Sequence, residues 1–145
     1  MSTRRRTTPA AALLLGLVLA AGCTAEPDEP EATAAGELTW PEAVDVTEAE
    51  GTFWVVWTAV ADTGADVEAT LQPSVDALAE VGYDTLPWDP RCQTGAEERL
   101  AALTGYADPL AVGVPFASAE EAGAFDTLYE GAVVAVTDGT HACTA

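Results

Sequence analysis

The chain has 145 residues, with 24 Asp and Glu against 5 Lys and Arg, a formal charge of −19 and a single His. A surface this negative repels phosphate backbones and anionic polymers, which excludes nucleic acid as a partner. The length suits one domain with accessory segments.

Arg4, Arg5 and Arg6 form a basic head, followed by the apolar run Ala10 to Ala21 and the small residues Ala20-Ala21-Gly22 directly before Cys23. A positive head, a short apolar middle and a small-residue exit describe an export signal. The run is well short of the roughly 20 residues that cross a bilayer. The ending resembles the lipobox of bacterial lipoproteins, whose cysteine is alkylated by diacylglycerol and becomes the mature N-terminus. The resemblance implies a signal over 1–22, lipid on Cys23, and a protein held by that lipid on the extracytoplasmic face of the cell membrane. Acyl chains contribute roughly 0.8 kcal/mol per buried methylene, so two or three together hold firmly. The alternative is an ordinary cleavage that leaves Cys23 as a thiol. Three cysteines would then strand one reactive sulfur outside the cell, whereas lipidation of Cys23 leaves Cys92 and Cys143 as a pair.

All 24 carboxylates lie beyond Cys23, and only Arg91 and Arg99 oppose them there, which sets the mature part at −22. Residues 23–37 combine the lipidated Cys23 with TAEPDEPEATAAG, a Pro, Glu, Ala and Thr stretch without a large apolar side chain. It buries too little to offset backbone ordering and reads as a spacer. The domain proper is expected over 38–145. At its start, Leu38 to Val46 fits either a short edge strand or an extended arm packed on the domain.

Thr52 to Ala61 (TFWVVWTAVA) is the clearest strand, β-branched and aromatic. Alternation puts Phe53, Val55 and Trp57 on one face and Trp54, Val56 and Val60 on the other. Both faces are apolar, so the strand is expected at the centre of the sheet. Val67, Leu71, Val75, Leu78 and Val81 then recur at helical spacing, with Pro73 either kinking the helix or lying in its true first turn, and Gly82 closing it. Tyr83 to Trp88 reads as a short second strand at an edge, stopped by Pro87, Asp89 and Pro90. Thr94 to Glu97 has capping-box spacing for a helix through Leu100 and Leu103 that stops at Gly105. Leu110 to Phe116 reads as a third strand. Ser118 to Glu121 is a second capping box, for a helix burying Ala122, Phe125 and Tyr129. Ala132 to Val136 reads as the last strand, ended by the turn pair Asp138-Gly139.

The expected fold is therefore α/β (α+β), with about four strands in an antiparallel or mixed sheet. It has the ferredoxin-like βαββαβ plan with one extra helix near 95–104 and one disulfide.

Cys92 and Cys143 pair naturally in an oxidising compartment, and closing about 50 residues stabilises by roughly 4 kcal/mol. The competing reading is a metal site built from both thiolates and His141. Hydrolytic chemistry finds little support. His141 is the only His, and beyond the signal the hydroxyls of Ser74 and Ser118 fall inside a helix pattern and at a cap. No phosphate-cradling loop or EF-hand spacing occurs, and no catalytic residue or cofactor is implied.

Leu110 to Val136 (LAVGVPFASAEEAGAFDTLYEGAVVAV) is similar to the second half of SPOR domains, ferredoxin-like envelope modules that bind peptidoglycan glycan on the sheet face opposite the helices. That resemblance implies a glycan surface. Trp54, Trp57 and Trp88 are its candidate aromatic platform, core filling being the other reading. A Cys92–Cys143 bond, however, requires the connecting segment to cross one face of the sheet. If that is the open face, the glycan surface is covered. The combined expectation is a non-enzymatic, membrane-anchored envelope module. An envelope protein or glycan is its expected partner, and metal capture is a further alternative.

Overall fold

A computed structural model of the chain describes residues 39–64 and 66–143. The expected signal over 1–22, Cys23 and the spacer through residue 37 lie outside the described residues.

The described residues form an α+β domain. Its three strands, β1 (Thr52–Asp62), β2 (Pro109–Phe116) and β3 (Ala135–Thr140), make one antiparallel sheet in the order β2-β1-β3. The helices are α1 (Val67–Glu80), α2 (Ala96–Thr104) and α3 (Ala119–Leu128), with one 3-10 turn at Pro90–Cys92. β1 is central, as its two apolar faces require. Phe53, Val55, Val56 and Trp57 are all buried.

The two faces carry separate cores. Val56, Ala61, Val112, Val114 and Phe116 pack with Leu71 and Leu78 of α1 and Ala122 and Phe125 of α3. On the opposite face, Phe53, Val55, Trp57, Val60 and Ala111 pack with Ala96 and Leu100 of α2. Fully burying an aliphatic or aromatic side chain of this size is worth about 1.5–3 kcal/mol, so both layers contribute substantially. Val60 was expected beside Trp54 and Val56 but belongs to the α2 face. The pairing of β1 with β2 slips between Trp57 and Ala59, and this β-bulge moves the later residues to the other side.

α1 starts at Asp66, whose carboxylate accepts from the Ala69 backbone N–H at 3.4 Å. Pro73 lies inside this helix, not in its first turn. Gly82, at φ +95°, ends it, with the Tyr83 N–H returning to the Leu78 carbonyl at 2.9 Å. α3 is capped as expected, Ser118 Oγ accepting from Glu121 N–H at 3.2 Å. α2 is not. Its N-cap is Gly95 at φ +82°, and Thr94 instead hydrogen-bonds Thr140 through its hydroxyl and its backbone N–H.

Two expected strands differ. Tyr83 to Trp88 forms no strand; only Trp88 makes a backbone bridge, to Ala111 on the outer edge of β2. Two prolines remove the donors that a longer ladder would need. The last strand runs later, from Ala135 to Thr140, through Asp138-Gly139 rather than stopping there. A Cβ on Gly139 would meet the Thr94 carbonyl at 2.5 Å. This glycine therefore admits a neighbouring backbone and makes no turn.

That neighbouring backbone is the segment leading to α2. Trp88 pairs with Ala111 beside β2, and Gln93 pairs with His141 just after β3. Because β1 lies between β2 and β3, residues 88–93 cross the sheet on the α2 side. The Cys92–Cys143 disulfide, spanning 51 positions with the Cα atoms 4.6 Å apart, pins the crossing at its far end.

Candidate functional site

The three tryptophans singled out in the sequence do not form one platform. Trp57 is fully buried under the crossing segment, its ring tilted on that of Trp88 at 4.7 Å between centroids. Trp54 packs against the other core, on the α1 and α3 face. The face opposite α1 and α3 is covered by α2 and residues 88–93, so Trp57 fills core.

The crossing brings a polar chain into this interior. Gln93, 1% exposed, donates from Nε2 to the Phe53 carbonyl at 3.0 Å, and its Oε1 accepts from the Thr137 hydroxyl. Trp57 Nε1 donates to Thr137 Oγ1 at 2.8 Å. A buried amide without partners would be strongly destabilising; here its donor and acceptor are both engaged. Sequence reasoning missed Gln93 and Thr137. The one signal was that Gln93 follows a disulfide cysteine, which fixes it against the fold.

Ser74 hydrogen-bonds Thr58 at 2.7 Å, and Ser118 caps α3. Both hydroxyls thus have structural partners. The sulfurs of Cys92 and Cys143 are joined, which leaves His141 without thiolate neighbours for a metal. Among the described residues no group of three or more His, Cys, Asp or Glu is placed to hold a metal ion. No helix among them is long and apolar enough to cross a membrane.

A cleft of about 960 Å³ is lined by residues 40–47, residues 81–88 and Gly113, Val114 and Pro115 on the outer edge of β2, and it reaches the Cys92–Cys143 disulfide and His141 beyond β3. Two segments share that edge. Residues 39–45 run as an extended arm that turns at 46–48, tied to β2 by a backbone bond from Val44 N–H to the Pro115 carbonyl at 2.9 Å. Trp88 occupies the position beside Ala111. Between them the Gly113 carbonyl accepts only from side chains, Thr85 Oγ1 at 3.2 Å and Trp88 Nε1 at 3.4 Å. The arm is held at its start by Trp40, edge-on to Tyr83 and Phe125, and by a 2.6 Å hydrogen bond from Tyr83 Oη to the Pro41 carbonyl. Sequence reasoning left this arm open between two readings; it is the packed arm, and it forms one wall of the cleft.

The walls are largely apolar: Trp40, Val44, Val46, Tyr83, Leu86 and Trp88, with the disulfide and His141 at one end. Leu86 is 76% exposed and Trp40 42%, an unusual outlay of apolar surface for so acidic a chain. Glu42, Asp45 and Asp84 also line it, and no arginine does. Hydrogen bonds from the Thr47 hydroxyl and backbone N–H, at 2.7 and 2.8 Å, hold the Asp45 carboxyl below its ordinary pKa. Burial raises the Tyr83 phenol. At neutral pH the cleft therefore presents an ionised carboxylate at Asp45 and a neutral phenol at Tyr83.

No family model, curated protein or solved structure matches this chain.

Proposed function

We propose that the chain is a lipid-anchored, extracytoplasmic lipoprotein whose α+β domain is a non-enzymatic binding module, with the cleft beside β2 as its binding site. The observation that carries this reading is the Cys92–Cys143 disulfide. It suits an oxidising compartment and consumes two of three cysteines, leaving Cys23, directly behind the apolar leader, as the odd one. Acylation of Cys23 gives that sulfur a role and supplies the anchor. A concave, mostly apolar site with a few placed polar groups is the usual form of a binding pocket.

The reading is tested by cell fractionation. Wild-type protein is expected in the membrane fraction and Cys23→Ser in the medium. Wild-type protein found wholly in the soluble fraction would contradict it.

We further read the sheet as a ferredoxin-like plan whose second strand has shrunk to the Trp88 bridge. The position of that bridge, outside β2 and away from β1, supports this. A SPOR-like glycan mode would need the face that α2 and residues 88–93 occupy. Glycan binding would therefore have to use the β2-edge cleft instead, which a pull-down with purified cell wall addresses. Metal capture through Cys92, His141 and Cys143 would require the disulfide to open first, and metal analysis of the reduced protein addresses it.

A further inference from the structure

The cleft combines exposed apolar walls with three carboxylates and no arginine, and its volume of about 960 Å³ is at the upper end of the roughly 300–1,000 Å³ range of small-molecule sites. Several occupants are disfavoured by charge. The chain's own spacer, TAEPDEPEATAAG, carries carboxylates and no basic residue. A second copy brings another −22 to the encounter. Anionic wall polymers and phosphates meet the same repulsion. An apolar molecule with positive charge is favoured on both counts. Its body removes Trp40 and Leu86 from water, and its charge faces the carboxylates and the negative faces of aromatic rings.

We propose that this cleft takes a small apolar organic cation, its hydrophobic body against Trp40, Leu86 and Trp88 and its charge directed to Glu42, Asp45 and Asp84. The inference rests on reading the domain as a binding module and specifies the class of ligand. Glu42 on the arm and Asp84 on the 81–88 loop both line the cleft, so a cation bound there draws on both segments. Asp45 is already shaped by Thr47 into a fixed acceptor at the arm's turn.

Two probes with the same tetraphenyl body and opposite charge separate the contributions: tetraphenylphosphonium and tetraphenylborate. Titration calorimetry uses the full chain carrying Cys23→Ser, which removes acyl chains that would themselves take up either ion. The phosphonium is expected to bind with one-to-one stoichiometry, and the borate at least about tenfold more weakly. Glu42→Gln with Asp84→Asn, both at exposed positions without a structural hydrogen bond, should weaken the phosphonium by about three- to tenfold, the effect of removing two partly screened charges. Glu98→Gln with Glu120→Gln, on the first turns of α2 and α3, should leave its affinity unchanged.

Equal affinity for both ions would overturn the selection of a cation while leaving the cleft as a binding site. Binding of neither would overturn the cleft as a binding site, and with it the binding-module reading. Equal weakening by the two pairs of variants would assign the effect to the whole acidic surface and overturn the inference.

Discussion

Gln93 and Thr137, 44 positions apart, bond to each other in the interior and together join the crossing segment to β3. Gln93 reaches on to the Phe53 carbonyl of β1, and Thr137 receives the Trp57 indole N–H. Three separate stretches of chain thus meet at two polar side chains. Gln93→Leu would leave the Phe53 carbonyl without that donor and should lower stability by about 1–3 kcal/mol. Thr137→Val should have an effect of similar size. Because the residues share one network, the double variant should lose less than the sum of the two, which chemical denaturation of all four proteins would measure.

Gly113 lies directly beneath Trp57. A Cβ there would meet Trp57 Cε3 at 2.7 Å and Val55 Cγ1 at 2.8 Å, so Gly113→Ala overpacks this layer and should cost about 1–3 kcal/mol. Gly123, on the exposed side of α3, has nothing within 4 Å of the same added atom. Gly123→Ala should stabilise by about 0.5–1 kcal/mol through helix propensity. Opposite shifts in the thermal midpoint are the expected outcome.

The disulfide constrains both the unfolded chain and the crossing segment. Replacing Cys92 and Cys143 by Ala should remove roughly 4 kcal/mol, a large share of the stability of a small domain. The denaturant midpoint should fall accordingly. The indole of Trp57 should also become more accessible to a fluorescence quencher in the native state, because residues 88–93 would no longer be pinned at the β3 edge.

Asp89 caps the 3-10 turn and forms a 2.6 Å ion pair with Arg91, whose hydrogen bonds hold the Asp89 carboxyl below its ordinary pKa. A lowered folded pKa means that, below about pH 3.9, the unfolded chain takes up this proton more readily than the folded one. The contribution of Asp89 is therefore fully present above that pH and is lost as pH falls through the folded value. The pair is well exposed to solvent, which keeps the effect small. Asp89→Asn should flatten the acid limb of a stability–pH curve slightly, and added salt should shrink the difference.

What the sequence made legible follows from local rules. The doubly apolar pattern of Thr52 to Ala61 marked a central strand, and Ser118 with Glu121 marked the start of α3. Cys92 and Cys143 marked the cross-link, together with the sheet crossing it would require. What stayed hidden depends on distant partners. Thr94 has a capping spacing but bonds Thr140, because the disulfide brings the two backbones together. Val60 changes face at a bulge that no alternation rule registers. Asp138-Gly139 has turn chemistry, yet it lies in a strand because the crossing backbone needs a residue without a side chain. The cleft was hidden for the same reason: the arm from Trp40, the 81–88 loop and the edge of β2 are distant in sequence and come together only in the folded chain.

The central claim is that the leader is spent on export, that lipid occupies the first cysteine, and that the other two sulfurs are joined. Intact mass analysis of protein taken from its native envelope reads all three at once. The account predicts a chain beginning at Cys23, heavier by its acyl groups, with no thiol free to alkylate after denaturation. An unacylated chain still carrying Arg4, Arg5 and Arg6, with three alkylatable thiols, would contradict it.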